Sequence, residues 1–272
     1  MSLVILQEFM MIKVNQHQRA AKAWEILIKI AKKRDFIRYK GLGDKIGIHH
    51  RAIRFVLGVI QEYCIINKLP PLTILIGDQN GMPGKGFTAW NRENIDEGKK
   101  EVYDYNWSSL ENPFKYALQG ESEAEIVNIL LEKPEESDEV YRKVPVRGTA
   151  QIIFRKALLK AYNSKCAICG LSYKFVLQAA HIIPWSKSNS KQKMAVCNGV
   201  LLCANHHSLF DEGHIKISQN YKLIINPKLK QLSNPDKSLT SYFNDKKLRL
   251  PKNENWWPNT EYLLSQSTNY SE

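Results

Sequence analysis

Apolar residues recur with helical spacing in the first third of the chain. Residues 20–32 place Trp24, Leu27 and Ala31 on one face, a pattern that is typical of an amphipathic helix. A second, shorter helix is predicted over residues 39–47, where the glycine at its end indicates a tight turn. The chain is therefore predicted to begin with packed helices.

A third helix is predicted to follow that turn, from about His49 to Cys64. An extended apolar stretch at residues 72–76 and a glycine-rich loop at residues 80–86 come next. Two helices joined by a glycine turn, then a strand and a loop, is the order of a winged-helix domain, which we predict for residues 1–95. In such a domain the second helix of the pair enters the major groove, and polar residues at its start meet the bases. The candidates for DNA binding are His49, His50, Arg51 and Arg54.

The remainder of the chain predicts a second domain of mixed helix and strand. An acidic helical linker is expected at residues 96–146, and a strong helix opens the second domain. Two apolar strands follow, the first of which carries one histidine, and the second runs into a short helix and then a β-hairpin. The segments predicted are the helix 149–162, the strands 177–185 and 199–203, and the hairpin 214–218 with 221–225. The fold class is therefore α+β, with a domain at residues 147–226 and a C-terminal extension at 227–272.

Composition narrows the class of protein. The chain has 272 residues, of which 43% are hydrophobic, which is enough to form buried hydrophobic cores. No apolar run approaches the roughly 18 residues that a membrane helix needs, and no signal peptide is evident. We therefore expect a cytoplasmic protein that does not enter the membrane. The odd number of cysteines, five, argues against a disulfide framework and favours metal binding.

Charge divides the chain into three parts. Residues 1–90 carry a net charge of +8, residues 91–145 of −7, and residues 146–272 of +11. The total of +12 favours polyanions, because basic side chains attract phosphates and release counterions. Two basic blocks around an acidic connector predict two domains that face double-stranded DNA. The alternative is a basic protein whose charged side chains are simply solvated.

Two short ligand pairs predict a structural zinc site. Cys166 and Cys169 form one Cys-x-x-Cys pair, and Cys203 and His206 form a Cys-x-x-His pair. A two-residue gap lets both members of a tight turn reach one ion, and four such ligands suit tetrahedral Zn²⁺. Since all four positions would be filled by protein, this zinc would be structural. The alternatives are buried thiols or a redox pair.

A second cation site is predicted on the short helix after the second strand. His207 and Asp211 are four residues apart, so they share one helical face. His206 is one residue earlier and points about 100° away. Adjacent histidines can therefore serve two different ions.

The strand–strand–helix unit with a histidine, an asparagine and a histidine strongly resembles the HNH (ββα-metal) endonuclease family. More narrowly, the strand Ala-Ala-His-Ile-x-Pro at residues 179–184 looks like the branch found in restriction-type enzymes. The resemblance covers residues 147–218. It implies that His181 is the general base, that Asn198 ties the loop between the strands, and that His207 with Asp211 holds a catalytic Mg²⁺ or Mn²⁺.

One departure from the family pattern concerns the metal. Many members carry a metal-binding Asp or His directly before the base, and that position here is Ala180. Coordination would then rest on two protein ligands with water and phosphate. Gln178, Asn205 and His214 are the candidates for assisting them.

The N-terminal block resembles the winged-helix domain of the alkylguanine-DNA alkyltransferases over residues 39–87. The resemblance is carried by residues 51–58, residues 69–71 and the glycine-rich turn. The family's nucleophile motif, Pro-Cys-His-Arg, is matched by Pro-Pro-Leu-Thr at residues 70–73, so alkyl transfer is excluded there. What the resemblance implies is DNA binding alone, with Arg54 at the position of the arginine that props open the base stack.

We hypothesise a restriction endonuclease that acts on foreign DNA, and a homodimer, since one active site cuts one strand. One rival is a nuclease that depends on modified bases. The other is a non-catalytic, zinc-stabilised DNA-binding regulator, which the substitution at Ala180 would suit.

Overall fold

The computed structural model describes residues 14–229 and 233–267, the last two without their side chains. The chain divides into two compact units, the first ending at Ser122 and the second beginning at Glu123. Residues 1–13 of the predicted N-terminal domain, and residues 230–232 and 268–272 of the predicted extension, lie outside the described part. The fold is α+β, with helices and three two-stranded sheets in the described residues.

The first unit is mainly helical and is built around one tryptophan. Trp24 is fully buried, and its ring packs edge-on against those of Tyr63, Trp107 and Phe114, with ring centroids 5.7–5.8 Å apart. The elements are α1 (Gln16–Lys32), β1 (Ile37–Arg38), α2 (Tyr39–Ile46), α3 (Ile53–Ile66), β2 (Ile76–Gly77) and α4 (Ile95–Asp104).

The turn between α2 and α3 follows the sequence pattern. Gly47 has a φ of 73°, a left-handed conformation that glycine adopts without strain, and it ends α2. A short 3-10 helix, His50–Ala52, then leads into α3, and His49 caps it by accepting a hydrogen bond from the Arg51 amide. The glycine turn and the His49 cap therefore fix the backbone at the start of α3.

The apolar stretch after α3 differs from the prediction of an extended strand. Leu72–Leu75 forms a buried 3-10 helix, and only Ile76–Gly77 is a strand, paired in parallel with β1. Pro70 and Pro71 precede the turn, and the carbonyl of Pro71 accepts from the Ile74 amide. A short apolar run that is buried on every side carries no periodicity that separates helix from strand.

The acidic segment assigned to a linker has helices on both sides of the unit division. Residues 96–122 lie in the first unit, where Val102 and Trp107 are buried. In the second unit the charged run after Pro134 forms a 3-10 turn and a helix. Proline is favoured at the first helical position, and acidic side chains favour a helix N-terminus. The helices are α5 (Glu123–Glu132) and α6 (Ser137–Lys143).

The second unit continues with a long helix laid against a β-hairpin-like pair of strands. The elements are α7 (Arg147–Ala161), β3 (Leu177–His181), α8 (Ser190–Met194), β4 (Gly199–Cys203), α9 (Ala204–Asp211), β5 (Ile215–Ile217), β6 (Leu223–Ile225), α10 (Asn234–Leu239) and α11 (Thr260–Ser267). β3 and β4 are antiparallel, with His181 opposite Gly199 and Leu177 opposite Cys203. β5 and β6 form the expected antiparallel hairpin.

The segment after β6 packs onto the second unit. Trp256 donates from its indole nitrogen to the Leu131 carbonyl at 2.8 Å, and Trp257 donates to Pro251 at 2.8 Å. Leu263 in α11 is buried. None of the helices in the described ranges is long and apolar enough to cross a membrane.

Candidate active site and metal centre

Four ligand atoms come together between the turn after α7 and the start of α9. The Cys166, Cys169 and Cys203 sulfurs and a nitrogen of His206 all lie within 4.8 Å of one another. The Sγ atoms of Cys169 and Cys203 are 3.9 Å apart, and the Nδ1 atom of His206 is 3.1 Å from Cys203 Sγ. Tetrahedral zinc with bonds of about 2.3 Å requires sulfur–sulfur edges of about 3.8 Å. The cluster therefore has the ligand set and the size for zinc.

Neighbouring groups orient the ligands. Cys203 ends β4 and His206 stands on the first turn of α9, so the strand-to-helix junction sets this pair. The Nε2 atom of His206 is 3.1 Å from the Leu239 carbonyl oxygen, which can only accept. Nε2 therefore carries the proton and Nδ1 is left for a metal, as is usual for ligating histidines. Hydrogen bonds from Cys169 and Cys203 hold the pKa of Cys166 far below its ordinary value, which favours the thiolate.

His181 lies at the end of β3 in a fixed orientation. Its Nε2 atom is 3.1 Å from the carbonyl oxygen of Lys193 in α8. Because that oxygen accepts only, Nε2 must be the protonated nitrogen, and Nδ1 keeps its lone pair. Burial lowers the pKa of His181 below its usual 6.5; the hydrogen bond to the Lys193 carbonyl opposes this shift, and the nearby His207 and Arg147 add to it. The neutral, basic imidazole is thus the stable form near pH 7.

Two aromatic rings hold the imidazole plane. Phe154 of α7 stacks on His181 with centroids 4.1 Å apart at 20°, and Trp185 meets it edge-on at 5.6 Å. Phe154 reaches this position because Gly199 stands opposite His181 on β4. A Cβ at Gly199 would lie 2.6 Å from both Phe154 and Leu158. Glycine at this point therefore makes room for the ring that orients His181.

Asn198 ties together the loop between the two strands. It is fully buried, its Oδ1 accepts from the Ile183 amide at 2.9 Å, and its Nδ2 donates to the Gln192 carbonyl at 2.9 Å. The loop that it pins carries Lys193, whose carbonyl orients His181. Asn198 is therefore linked to the imidazole through the backbone between Gln192 and Lys193.

His207 and Asp211 face each other across one turn of α9. The Nε2 atom of His207 is 3.5 Å from Oδ2 of Asp211, and the two side chains are 24% and 54% exposed. Two ligands at about 2.1 Å and a right angle from one ion would be about 3 Å apart. The pair therefore fits the donor set and spacing of a hard divalent cation, with room for further ligands from solvent.

His181 and Asp211 line a common cleft of about 280 Å³, and Lys187 and Lys216 stand on its wall. Among the described residues, no third His, Cys, Asp or Glu side chain joins His207 and Asp211 in a ligand group.

Ala180 and the three candidates for further metal ligands, Gln178, Asn205 and His214, differ in how far their side chains are buried. Ala180 is fully buried on β3, and Gln178 and Asn205 are exposed. The Nδ1 atom of His214 is buried and has no hydrogen-bond partner within the described ranges. We therefore assign no metal-ligand role to Gln178, Asn205 or His214.

Residues 166–218 match a family model described as HNH endonuclease. These residues form an HNH endonuclease domain. The match agrees, for these residues, with the resemblance to HNH endonucleases that the sequence predicted.

Two further comparisons accompany this match. No curated protein matches the chain. Among solved structures, the chain is similar to "Modification dependent TagI restriction endonuclease", at 18% identity over 40% of this chain and 34% of that one, with a TM-score of 0.27. The chain thus spans about a third of that enzyme, and a superposition this weak carries no argument.

The structure brings together the residues that the sequence singled out in the HNH domain. The four zinc candidates form one cluster, and His181 and Asp211 share one cleft. In the first unit, His49, His50, Arg51 and Arg54 are exposed at the start of α3, and the rings of His49 and His50 lie 4.1 Å apart at a tilt of 36°. Sequence reasoning missed the Lys193 carbonyl, Phe154 and Trp185. A backbone carbonyl leaves no sequence signal, whereas the aromatic at 154 stood on a predicted buried helix face.

Proposed function

We propose that this protein is a divalent-metal-dependent HNH endonuclease that hydrolyses phosphodiester bonds of foreign double-stranded DNA in a prokaryotic cytoplasm. The observation that carries the proposal is the state of His181. It is a neutral imidazole with its protonated nitrogen fixed by the Lys193 carbonyl, and it lines the cleft that Asp211 also lines. A regulator that only binds DNA has no need of such a base.

His181 takes the proton from the attacking water through Nδ1. Because burial lowers the pKa of His181 below its usual 6.5, the imidazole is unprotonated at neutral pH and free to accept a proton. Phe154 and Trp185 prevent the ring from turning away during the transfer. In-line attack on phosphorus then leaves 5′-phosphate and 3′-hydroxyl ends.

His207 and Asp211 would hold the Mg²⁺ or Mn²⁺ ion. When bound there, the ion supplies Lewis-acid stabilisation of charge on the phosphate and the leaving oxygen. Asp211 contributes the negative charge that favours a hard cation, and His207 fixes its position on the face of α9. Asn198 acts as a positioning residue, since it reaches His181 only through the loop.

The first unit would position the enzyme on duplex DNA. The exposed side chains at the α3 start, His49, Arg51 and Arg54 among them, would meet the major groove. The alternative is that these side chains are simply solvated and do not contact DNA. A homodimer would place two active sites on the two strands, and light scattering that shows monomers both free and on DNA would count against it.

Plasmid cleavage tests the proposal. Wild type and His181→Ala are incubated with supercoiled plasmid and either Mg²⁺ or Mn²⁺, and DNA binding is measured in parallel. We expect wild type to cut and the variant to bind without cutting. A wild-type protein that binds both methylated and unmethylated plasmid but cuts neither, with either ion, would support the regulator instead.

One observation favours a second candidate, a nuclease that depends on modified bases. A pocket of about 430 Å³ lies beside α3 and is lined in part by Arg54, Gly58 and Thr73. The Thr73 hydroxyl is buried and has no hydrogen-bond partner in the described ranges. A Cβ on Gly58 would meet nothing within 4 Å, so this glycine relieves no clash and leaves the pocket wider. The volume falls in the range of about 300–1,000 Å³ that is typical of small-ligand sites.

Such a pocket could receive a base flipped out of the duplex. The test compares cleavage of plasmid with and without base methylation, for wild type and for Gly58→Leu, which fills the pocket. A preference for modified DNA that Gly58→Leu abolishes would establish the second candidate. Equal cleavage of both substrates by both proteins would remove it.

A further inference from the structure

Two aromatic side chains project from the loop between the Cys166–Cys169 turn and β3. Phe175 exposes 81% of its side chain and Tyr173 exposes 63%, and their ring centroids are 5.8 Å apart. We call these two residues the aromatic wedge. Burying such a ring would contribute about 1.5–3 kcal/mol, so a partner that covers it gains affinity.

The backbone under the wedge is fixed. Arg155 of α7 donates from its guanidinium to the carbonyl oxygens of Lys174 at 2.6 Å and Leu177 at 2.9 Å. The Val176 amide donates to the Tyr173 carbonyl at 3.0 Å. Because the loop is already ordered, a partner would lose little conformational entropy in docking against it.

Charge on the surrounding chain selects the partner. Between Arg147 and Phe210 the sequence has nine basic residues and no Asp or Glu. The basic residues are Arg147, Arg155, Lys156, Lys160, Lys165, Lys174, Lys187, Lys191 and Lys193. Lys156 is paired with Glu123, and the others leave the segment strongly positive. A second copy of this surface would be repelled, whereas a polyanion would be attracted.

The wedge lies along β3 from the candidate base. Leu177 and His181 are the ends of this five-residue strand, which spans roughly 13 Å at about 3.3 Å per residue. Stacked base pairs repeat about every 3.4 Å. Phe175 lies two residues beyond Leu177, so a duplex that ran along β3 from His181 would reach the wedge about four to six base pairs from the bond that is cut.

We propose that Tyr173 and Phe175 stack on, or insert between, bases of the bound DNA next to the cleavage point. Every base has an aromatic face, so such contacts add affinity without reading sequence, and a wedge between base steps also bends the duplex. The inference rests on the proposed nuclease function for the position of the DNA. It adds to that function a grip on the bases themselves, which the phosphate contacts of lysines do not provide.

The test uses the full-length chain with His181→Ala, so that bound DNA stays intact. Duplexes carry the fluorescent base 2-aminopurine at successive positions, and affinity is measured at several salt concentrations. We expect Phe175→Ala to weaken binding roughly tenfold and to remove a fluorescence increase at one or two positions. The salt dependence should be unchanged, because no charge is lost. Phe175→Trp should restore both signals.

Tyr173→Ala should also weaken binding, and Tyr242→Ala is its matched control, because both tyrosines are 63% exposed and belong to the second unit. The control should bind as the parent does. The proposal is overturned if Phe175→Ala keeps the parent's affinity and fluorescence. It is also overturned if the parent is a dimer that Phe175→Ala turns into a monomer, since the wedge would then be an interface between copies. Cleavage by wild type is measured separately. If Phe175→Ala loses affinity and fluorescence but wild type does not cleave, only the nuclease proposal is contradicted.

Discussion

The Cys166–Cys169–Cys203–His206 cluster and the His207–Asp211 pair lie at successive positions of the same strand-to-helix junction, yet they differ as ligand sets. The cluster has four protein ligands, three of them buried, and its histidine is locked by the Leu239 carbonyl. The pair offers two ligands, one of them more than half exposed, at the edge of a cleft. A closed set leaves no position for substrate, whereas an open pair does.

The difference teaches how one short helix can carry both roles. His206 points to the cluster and His207 points toward Asp211, because neighbouring residues on a helix diverge by about 100°. The cluster fixes the start of α9, and that in turn fixes the face on which the pair stands. Stability and catalysis should therefore separate when the two ligand sets are changed one at a time.

The largest effect is expected from the closed set. Cys166→Ser leaves three zinc ligands, and structural zinc sites contribute about 10–16 kcal/mol in small domains. We expect zinc content per chain to fall to near zero and the second unit to lose its cooperative melting transition. Atomic absorption and calorimetry measure these two quantities.

Cys197→Ser is the control, since Cys197 is half-buried in the same unit and is not a ligand. It should keep its zinc. Retention of full zinc and normal melting by Cys166→Ser would contradict the structural assignment of the cluster.

The next effect concerns the open side of the comparison. His181→Ala removes the proposed base and should lower the cleavage rate about 10²–10⁴-fold, the usual contribution of a general base. Zinc content should not change, because His181 belongs to neither ligand set, and melting reports what the lost packing against Phe154 costs. Single-turnover cleavage gives the rate, and an unchanged rate would exclude His181 as the base.

A smaller effect is expected from the residue that connects structure to chemistry. Asn198→Ala frees the loop that carries Lys193, and removing such an orienting partner typically costs about 10–100-fold. The cleavage rate should fall while DNA affinity stays the same, and melting reports any loss of stability. Asn220→Ala, at the exposed turn between β5 and β6, should behave as wild type.

The smallest effect is the pH dependence. His181 must be unprotonated to act, and burial lowers its pKa below 6.5. Cleavage at saturating metal should therefore rise with pH through a midpoint below 6.5 and stay flat from there to pH 8. The groups that face this imidazole are His207, which would be a neutral ligand at saturating metal, and Arg147, whose positive charge lowers the pKa of His181 further. A midpoint above 6.5 would show that the imidazole is not desolvated as the structure has it.

Much of the HNH domain could be predicted because its signals are local. Cys166 with Cys169, and Cys203 with His206, are three residues apart, and His207 with Asp211 four apart. Such spacings decide by themselves which side chains can share an ion. The elements outside the HNH domain were predicted less accurately. The run at 72–76 was predicted as a strand and became mostly 3-10 helix, and the charged segment after Pro134 became α6, which packs inside the second unit.

The sequence by itself determined the four-residue cluster, the α+β class and the strand–strand–helix unit, because these follow from short spacings and periodicity. Only the tertiary structure decided how the base is prepared. Phe154 and the Lys193 carbonyl reach His181 from 27 residues before it and 12 residues after it. Gly199 makes room for that approach from the opposite strand. Burial, tautomer and pKa depend on such distant contacts, which no local pattern of residues encodes.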